Sequence, residues 1–197
     1  FPYTTLFRSK PHSLKPHNPE TLSLEIEIDK FINNRPLILS IGRMTYYKGF
    51  SHLIDAVEHI ISNNQNDLIN SYKDNESTDI KNFAVVIAGE GNKRKELIEQ
   101  VKQQNLSNTI MLPGRISDVE KRRLLSKAKI FVLPSIDRAE AFGVSLLEAM
   151  AYKIPLVTTS VYGSGMNYVN INGKTGLTVK PANFKELAFA ISYLLKN

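Results

Sequence analysis

The sequence predicts an α/β domain built on a doubly wound, Rossmann-like parallel sheet, and three observations predict it. From Arg35 onward, apolar runs of strand length alternate with amphipathic helical stretches. The apolar runs are nearly continuous, as strands covered on both faces are. The residues able to do chemistry all fall just after strands, where such sheets collect ligands. Right-handed connections are expected between successive strands.

The elements follow in order. Residues 37–41 form the first strand, and a glycine-containing loop runs from Gly42 to Gly49. The next helix sets Phe50, Leu53, Ile54, Val57, Ile60 and Ile61 on one face at a 3.6-residue period. Residues 84–88 form the second strand, and the turn Gly89, Glu90, Gly91 leads to a charged helix with Leu97, Ile98 and Val101 inward. Residues 109–112 form the third strand. Ser117 and Glu120 have the spacing of a capping box for the helix that follows. Residues 130–133 and 155–158 are the fourth and fifth strands, with a short strand at 177–179. The terminal helix places Phe184, Leu187, Ala188, Ile191, Leu194 and Leu195 together.

Composition narrows the function. An apolar fraction of 42% over 197 residues supports a real core. No apolar run approaches the roughly 18 residues of a membrane span. The absence of cysteine excludes disulfides, thiol catalysis and cysteine-based zinc sites. His12, His17, His52 and His59 make no metal spacing, the latter two lying on the polar side of their helix. The net charge of +6 suits anionic ligands or an anionic membrane surface, but it is too scattered to suggest nucleic acid. The chain begins at Phe1 without an initiator Met and is expected to be a fragment. Residues 1–9 show no period and resemble translated adapter sequence. With Pro11, Pro16 and Pro19 after them, residues 1–34 are expected to be tail and extended linker, and 35–197 the domain. The Asn-, Asp- and Ser-rich residues 62–82 are expected to be an exposed insertion without function.

Two loops carry the chemistry. After the first strand, Arg43 offers a planar fork and Lys48 a compact ammonium around a tight turn, both suited to phosphate oxygens. A basic loop residue is usually just solvated; two flanking one turn favour phosphate. No Gly-Lys-Ser/Thr sequence occurs, so this is not a Walker loop. In the segment from Glu140 to Met150, Gly143 and Val144 are expected to open a helix whose free amides attract phosphate. Glu148 sits among Leu146, Leu147, Ala149 and Met150. A helix apolar all round is normally buried, and a buried carboxylate needs a partner. The expected partner is the hydroxyl pair of a ribose; an exposed helix-end Glu is the alternative. Glu140 could reach the group beyond the phosphates. Arg115 and Ile116, after the third strand, could line a base pocket. A diphosphate with a ribose on one side and a polar group on the other describes a nucleotide-sugar.

Ser40, Gly42, Arg43, Lys48 and Gly49, then Gly89, Glu90 and Gly91, then Pro113, Gly114 and Arg115, then Pro134 and Ser135, then Glu140, Phe142, Gly143 and Glu148 occur in that order. Together they resemble the C-terminal, donor-binding domain of glycosyltransferase family 4, with the GT-B fold. The resemblance covers roughly residues 35–195 and is closest to bacterial mannosyltransferase-like members. It implies retaining transfer of a hexose such as mannose from a GDP- or UDP-linked donor, without an essential metal. The acceptor would be a glycan or lipid-linked sugar in polysaccharide biosynthesis. Arg43 and Lys48 would neutralise the diphosphate beside Gly42, and the amides of Phe142, Gly143 and Val144 would hold its distal phosphate. Glu148 would hold the ribose, Glu140 the donor sugar, and Arg115 and Ile116 the base.

The resemblance also implies a missing N-terminal acceptor domain, which would leave this piece nearly inactive alone. Its implied location is cytoplasmic, with peripheral contact at the inner membrane face. Met166, Asn167 and Tyr168 depart from the Glu-Ile-Val pattern of many members, which puts sugar or acceptor contacts there in doubt. A non-catalytic nucleotide-sugar binding module is the competing expectation.

Overall fold

A computed structural model describes residues 19–62 and 82–197; the tail at 1–18 and nearly all of the Asn-rich stretch lie outside the described residues. Six parallel strands form one sheet: β1 (Leu37–Ile41), β2 (Ala84–Ala88), β3 (Ile110–Gly114), β4 (Ala128–Leu133), β5 (Leu156–Thr159) and β6 (Gly176–Val179). Their spatial order is β3-β2-β1-β4-β5-β6, and every pairing is parallel. This is the doubly wound order, with its topological switch between β1 and β4.

The helices are α1 (Pro19–Ile32), α2 (Phe50–Ser62), α3 (Arg94–Gln103), α4 (Asp118–Lys127), α5 (Val144–Ala151), α6 (Met166–Val169) and α7 (Phe184–Lys196). Alternation along the strands divides the core in two. Ile38, Val85, Ile87, Ile130 and Val132 meet α2, α3 and α7 on one face. Leu37, Leu39, Val86, Phe131 and Leu133 meet α1, α4, α5 and α6 on the other. The strands are therefore covered on both sides, which explains their nearly continuous apolar sequence. Before α4, Glu120 N donates to Ser117 Oγ at 3.2 Å and Ser117 N donates to Glu120 Oε2 at 2.6 Å, the expected capping box. His59, expected to face solvent, instead packs edge-on against Phe184 of α7, with 5.5 Å between ring centroids. No helix among the described residues is long and apolar enough to cross a membrane.

Residues 19–32, read as linker, form α1, with Pro19 in the first turn, where its missing N–H loses no hydrogen bond. Leu24, Ile28, Phe31 and Ile32 share the face that packs on the sheet, and Ile28 is fully buried. Arg35 fastens the helix end. Its guanidinium donates to the carbonyls of Phe31 and Ile32, which lack helical partners, and also to Phe83 and Asn108 beside β2 and β3. Arg35→Ala is expected to remove about 2 kcal/mol of stability, read by urea unfolding, with early hydrogen exchange in α1.

Arg123 and Lys127 of α4 hold Asp29 from the other side, at 2.5 and 2.7 Å. Burial pushes Asp29 upward, but the hydrogen bonds from Lys127 and Arg123 outweigh it and hold the carboxyl below its ordinary value. This clasp is complete above the usual Asp value and fades as pH falls through the lowered one.

Candidate donor-binding site

The loops at the carboxyl ends of the strands are laced together through the backbone. Gly42 N extends the β1–β2 ladder to Ala88 O at 3.0 Å. Beyond it, Met44 N donates to Glu90 O at 2.8 Å and Lys93 N to Met44 O at 3.0 Å, while the Met44 side chain is wholly buried. Across the switch point, Ile136 N donates to Tyr47 O at 2.8 Å. The short 3-10 turn Tyr46–Lys48 therefore lies against the loop that follows β4. Lys48 and Glu140 meet there as an ion pair, and the two residues are only 9% and 7% exposed.

The Glu140 carboxylate is enclosed by donors. Lys48 Nζ and Ser135 Oγ (3.3 Å) share Oε2, and Gly143 N donates to Oε1 at 3.1 Å. A carboxylate has about four acceptor sites, so one remains for another hydroxyl or amide. Behind it, Thr159 Oγ1 donates to the carbonyl of Ser135. Ser135 and Thr159 are buried, which gives the carboxylate a rigid seat.

Gly143, expected inside the helix, is its N-cap in a left-handed conformation (φ 76°), and α5 begins at Val144. Its amide is taken by Glu140, so the helix start offers an anion the amides of Val144 and Ser145 rather than that of Gly143. The side chains of Phe142 and Val144 are exposed beside it.

Glu148 departs from expectation. It is half-buried, not enclosed, because α5 packs only one face: Leu146 and Ala149 are buried, while Val144, Leu147 and Met150 are exposed. Its partner is Lys121 of α4, at 2.7 Å, which also lies 3.4 Å from Asp118. The Glu148 hydrogen bond, opposed by burial, raises Lys121 above the ordinary lysine value. An apolar helix composition does not by itself bury every face.

The remaining predicted residues ring this centre. Arg43 and Arg115 are exposed, their guanidinium groups without a hydrogen bond or ion pair among the described residues, and Ile116 packs on the core beneath. Sequence reasoning missed Lys121 and Thr159, and it gave Ser135 and Ser164 no role beyond a motif position. The only sequence signal for Lys121 is its place in the first turn of α4, which matters once α4 and α5 share a face. Two open grooves lie elsewhere. One of about 440 Å³ is lined by Lys153, Pro155, Lys174 and Tyr193, and one of about 350 Å³ runs beside β3 and α3. Neither holds a buried ion pair like Lys48–Glu140 among the described residues, although the second brings Glu27 near Arg94 and Lys102.

The Lys48–Glu140 cluster lies beyond the carboxyl ends of β1 and β4, at the switch point where doubly wound α/β sheets bind their ligands. The family model for glycosyl transferases group 1 matches residues 24–197, so α1 falls within the match. The chain belongs to that glycosyltransferase family, and its sheet is that of a GT-B C-terminal Rossmann-like domain. It is 38% identical to the D-rhamnosyltransferase WbpZ of Pseudomonas aeruginosa over 144 residues, covering 73% of this chain and 32% of that protein. It is 29% identical to the O-antigen chain mannosyltransferase C of Escherichia coli over 159 residues, covering 81% and 37%. Among solved structures, Anabaena Alr3699/HepE in complex with UDP and glucose superposes with a TM-score of 0.67 at 20% identity, covering 92% of this chain and 44% of that one. The chain spans about a third of the length of the two relatives named first.

Proposed function

We propose that this domain is the donor half of a retaining hexosyltransferase, binding a GDP- or UDP-linked sugar in the crevice between β1 and β4. The observation that carries the proposal is the buried Lys48–Glu140 pair at the switch point, beside the start of α5 and the uncommitted Arg43. Arg43 and Lys48 neutralise the diphosphate, and the Val144 and Ser145 amides take its distal phosphate. Glu148 accepts from the ribose hydroxyls, Arg115 and Ile116 flank the base, and Glu140 spends its free acceptor site on a hydroxyl of the sugar.

In the reaction the bond between the anomeric carbon and the diphosphate oxygen breaks. The acceptor oxygen bonds to the same face, and its proton passes to the departing phosphate. Charge accumulates on that leaving group, so fixed cations and amides aimed at it lower the barrier, and no metal is essential. The relative named as an O-antigen chain mannosyltransferase supports mannose as the sugar and a glycan or lipid-linked acceptor. A second domain, completing the acceptor side, accounts for the greater length of the relatives. The whole enzyme then works in the cytoplasm, touching the inner membrane face peripherally.

Glu148→Ala tests the assignment. It is expected to lower GDP or UDP affinity at least tenfold, the scale of lost charged hydrogen bonds. Stability should change by about 0.5 kcal/mol at most, since the Lys121 pair is partly solvated. Unchanged affinity for the bound nucleotide would remove the ribose assignment.

A further inference from the structure

The loop between β5 and α6 is joined to the Glu140 turn at two successive residues. Ser164, 4% exposed, donates from Oγ to the main-chain carbonyl of Glu140 and accepts from Met166 N at 3.3 Å. Gly165 N donates to Ala141 O at 2.6 Å. The seam is too close for a side chain: a Cβ on Gly165 would fall 2.8 Å from Ala141 O and 2.7 Å from Phe142 Cδ2. Met166 and Val169 anchor the loop from below in the core, while Tyr162 and Tyr168 point outward. Beyond this seam, the Glu140 backbone is tied among the described residues only by its own amide, which donates to Asp137 O at 3.1 Å.

We propose that Ser164 is a positioning residue: it fixes the backbone of Glu140 so that the carboxylate meets a hydroxyl of the donor sugar. The proposal rests on the donor-sugar role given to Glu140 above. A hydrogen bond to a hydroxyl weakens steeply with misplacement, so a backbone slip at Glu140 costs the sugar contact. Arg43 and Glu148 stand on other elements and keep their hold on the nucleotide. Loss of the seam therefore separates sugar recognition from nucleotide recognition.

The readout is the ratio of affinities for a nucleotide-sugar and its own nucleoside diphosphate. It is measured by calorimetry on the 197-residue protein, with GDP-mannose against GDP and UDP-glucose against UDP. Glu140→Ala should lower the ratio for whichever pair the protein binds. Ser164→Ala should lower the same ratio roughly fivefold, the scale of one hydrogen bond, with nucleoside diphosphate affinity held within about twofold. Gly165→Ala, which forces the seam open from the other side, should act alike and serves as the test if Ser164→Ala does not fold. A ratio that falls in Glu140→Ala but in neither seam variant overturns the positioning role alone. An equal loss of sugar and nucleotide affinity in Ser164→Ala shows a merely structural role and overturns it too. A ratio unmoved by Glu140→Ala, or no binding of either pair by folded protein, overturns the donor assignment and the proposal with it.

Discussion

Lys48→Ala is expected to lower stability by about 3 kcal/mol and nucleoside diphosphate affinity at least tenfold. The stability loss follows from burial. Removing the ammonium leaves the Glu140 carboxylate with Ser135 and Gly143 as its donors among the described residues, at a position 7% exposed. An uncompensated buried charge costs far more than a broken surface pair. The affinity loss follows from chemistry, because the same ammonium is one of the two cations proposed to neutralise the diphosphate. Combining Lys48→Met with Glu140→Gln separates the two effects. The double variant buries no charge and should regain most of the stability without regaining the affinity. Urea unfolding and calorimetric titration of the three variants read both quantities. A Lys48→Ala protein as stable as the parent would show that the pair is not a buried one.

Gly89→Ala is the second large effect, with a loss of more than about 2 kcal/mol and failure to bind nucleotide. Gly89 has a φ of 141°, open to few residues other than glycine, and its amide donates to Gly114 O at 2.8 Å. A Cβ there would sit 1.9 Å from Gly42 O, inside the junction where the loops after β1, β2 and β3 converge. The methyl must drive Gly42 away from β2, which loosens the turn that carries Lys48. Gly163→Ala is the matched control: its φ is 77°, yet nothing lies within 4 Å of the added carbon. It should cost backbone strain alone, with nucleotide affinity unchanged. The urea midpoints of the two variants, compared directly, make the distinction.

Much of the fold was legible because parallel strands covered on both faces are nearly continuous apolar runs, and all six strands begin and end within two residues of those runs. The first helix escaped notice because three prolines suggested extended chain, although Pro19 occupies the position a helix tolerates best. Composition misled at α5. Its apolar residues fall on both faces, and only the packing shows that Leu147 and Met150 face outward.

Contacts at long sequence separation were the least legible. Lys48 and Glu140 lie 92 positions apart, and each was assigned a separate ligand group. The neighbouring of β1 and β4, with the Ile136–Tyr47 backbone bond between their loops, brings them together. Ser164 meets Glu140 across 24 positions through a main-chain carbonyl, a contact that no residue pattern encodes.

A nucleotide-sugar bound as proposed lies over the carboxyl ends of β1, β3 and β4. The most direct test is the amide correlation spectrum of the isotope-labelled protein, titrated with GDP and UDP. One nucleotide should shift the amides of residues 42–49, 115–121 and 140–148 saturably, leaving 153–155 and 173–177 still. Shifts confined to that second group, in the groove beside α7, would contradict the account, as would a folded protein whose spectrum ignores both nucleotides.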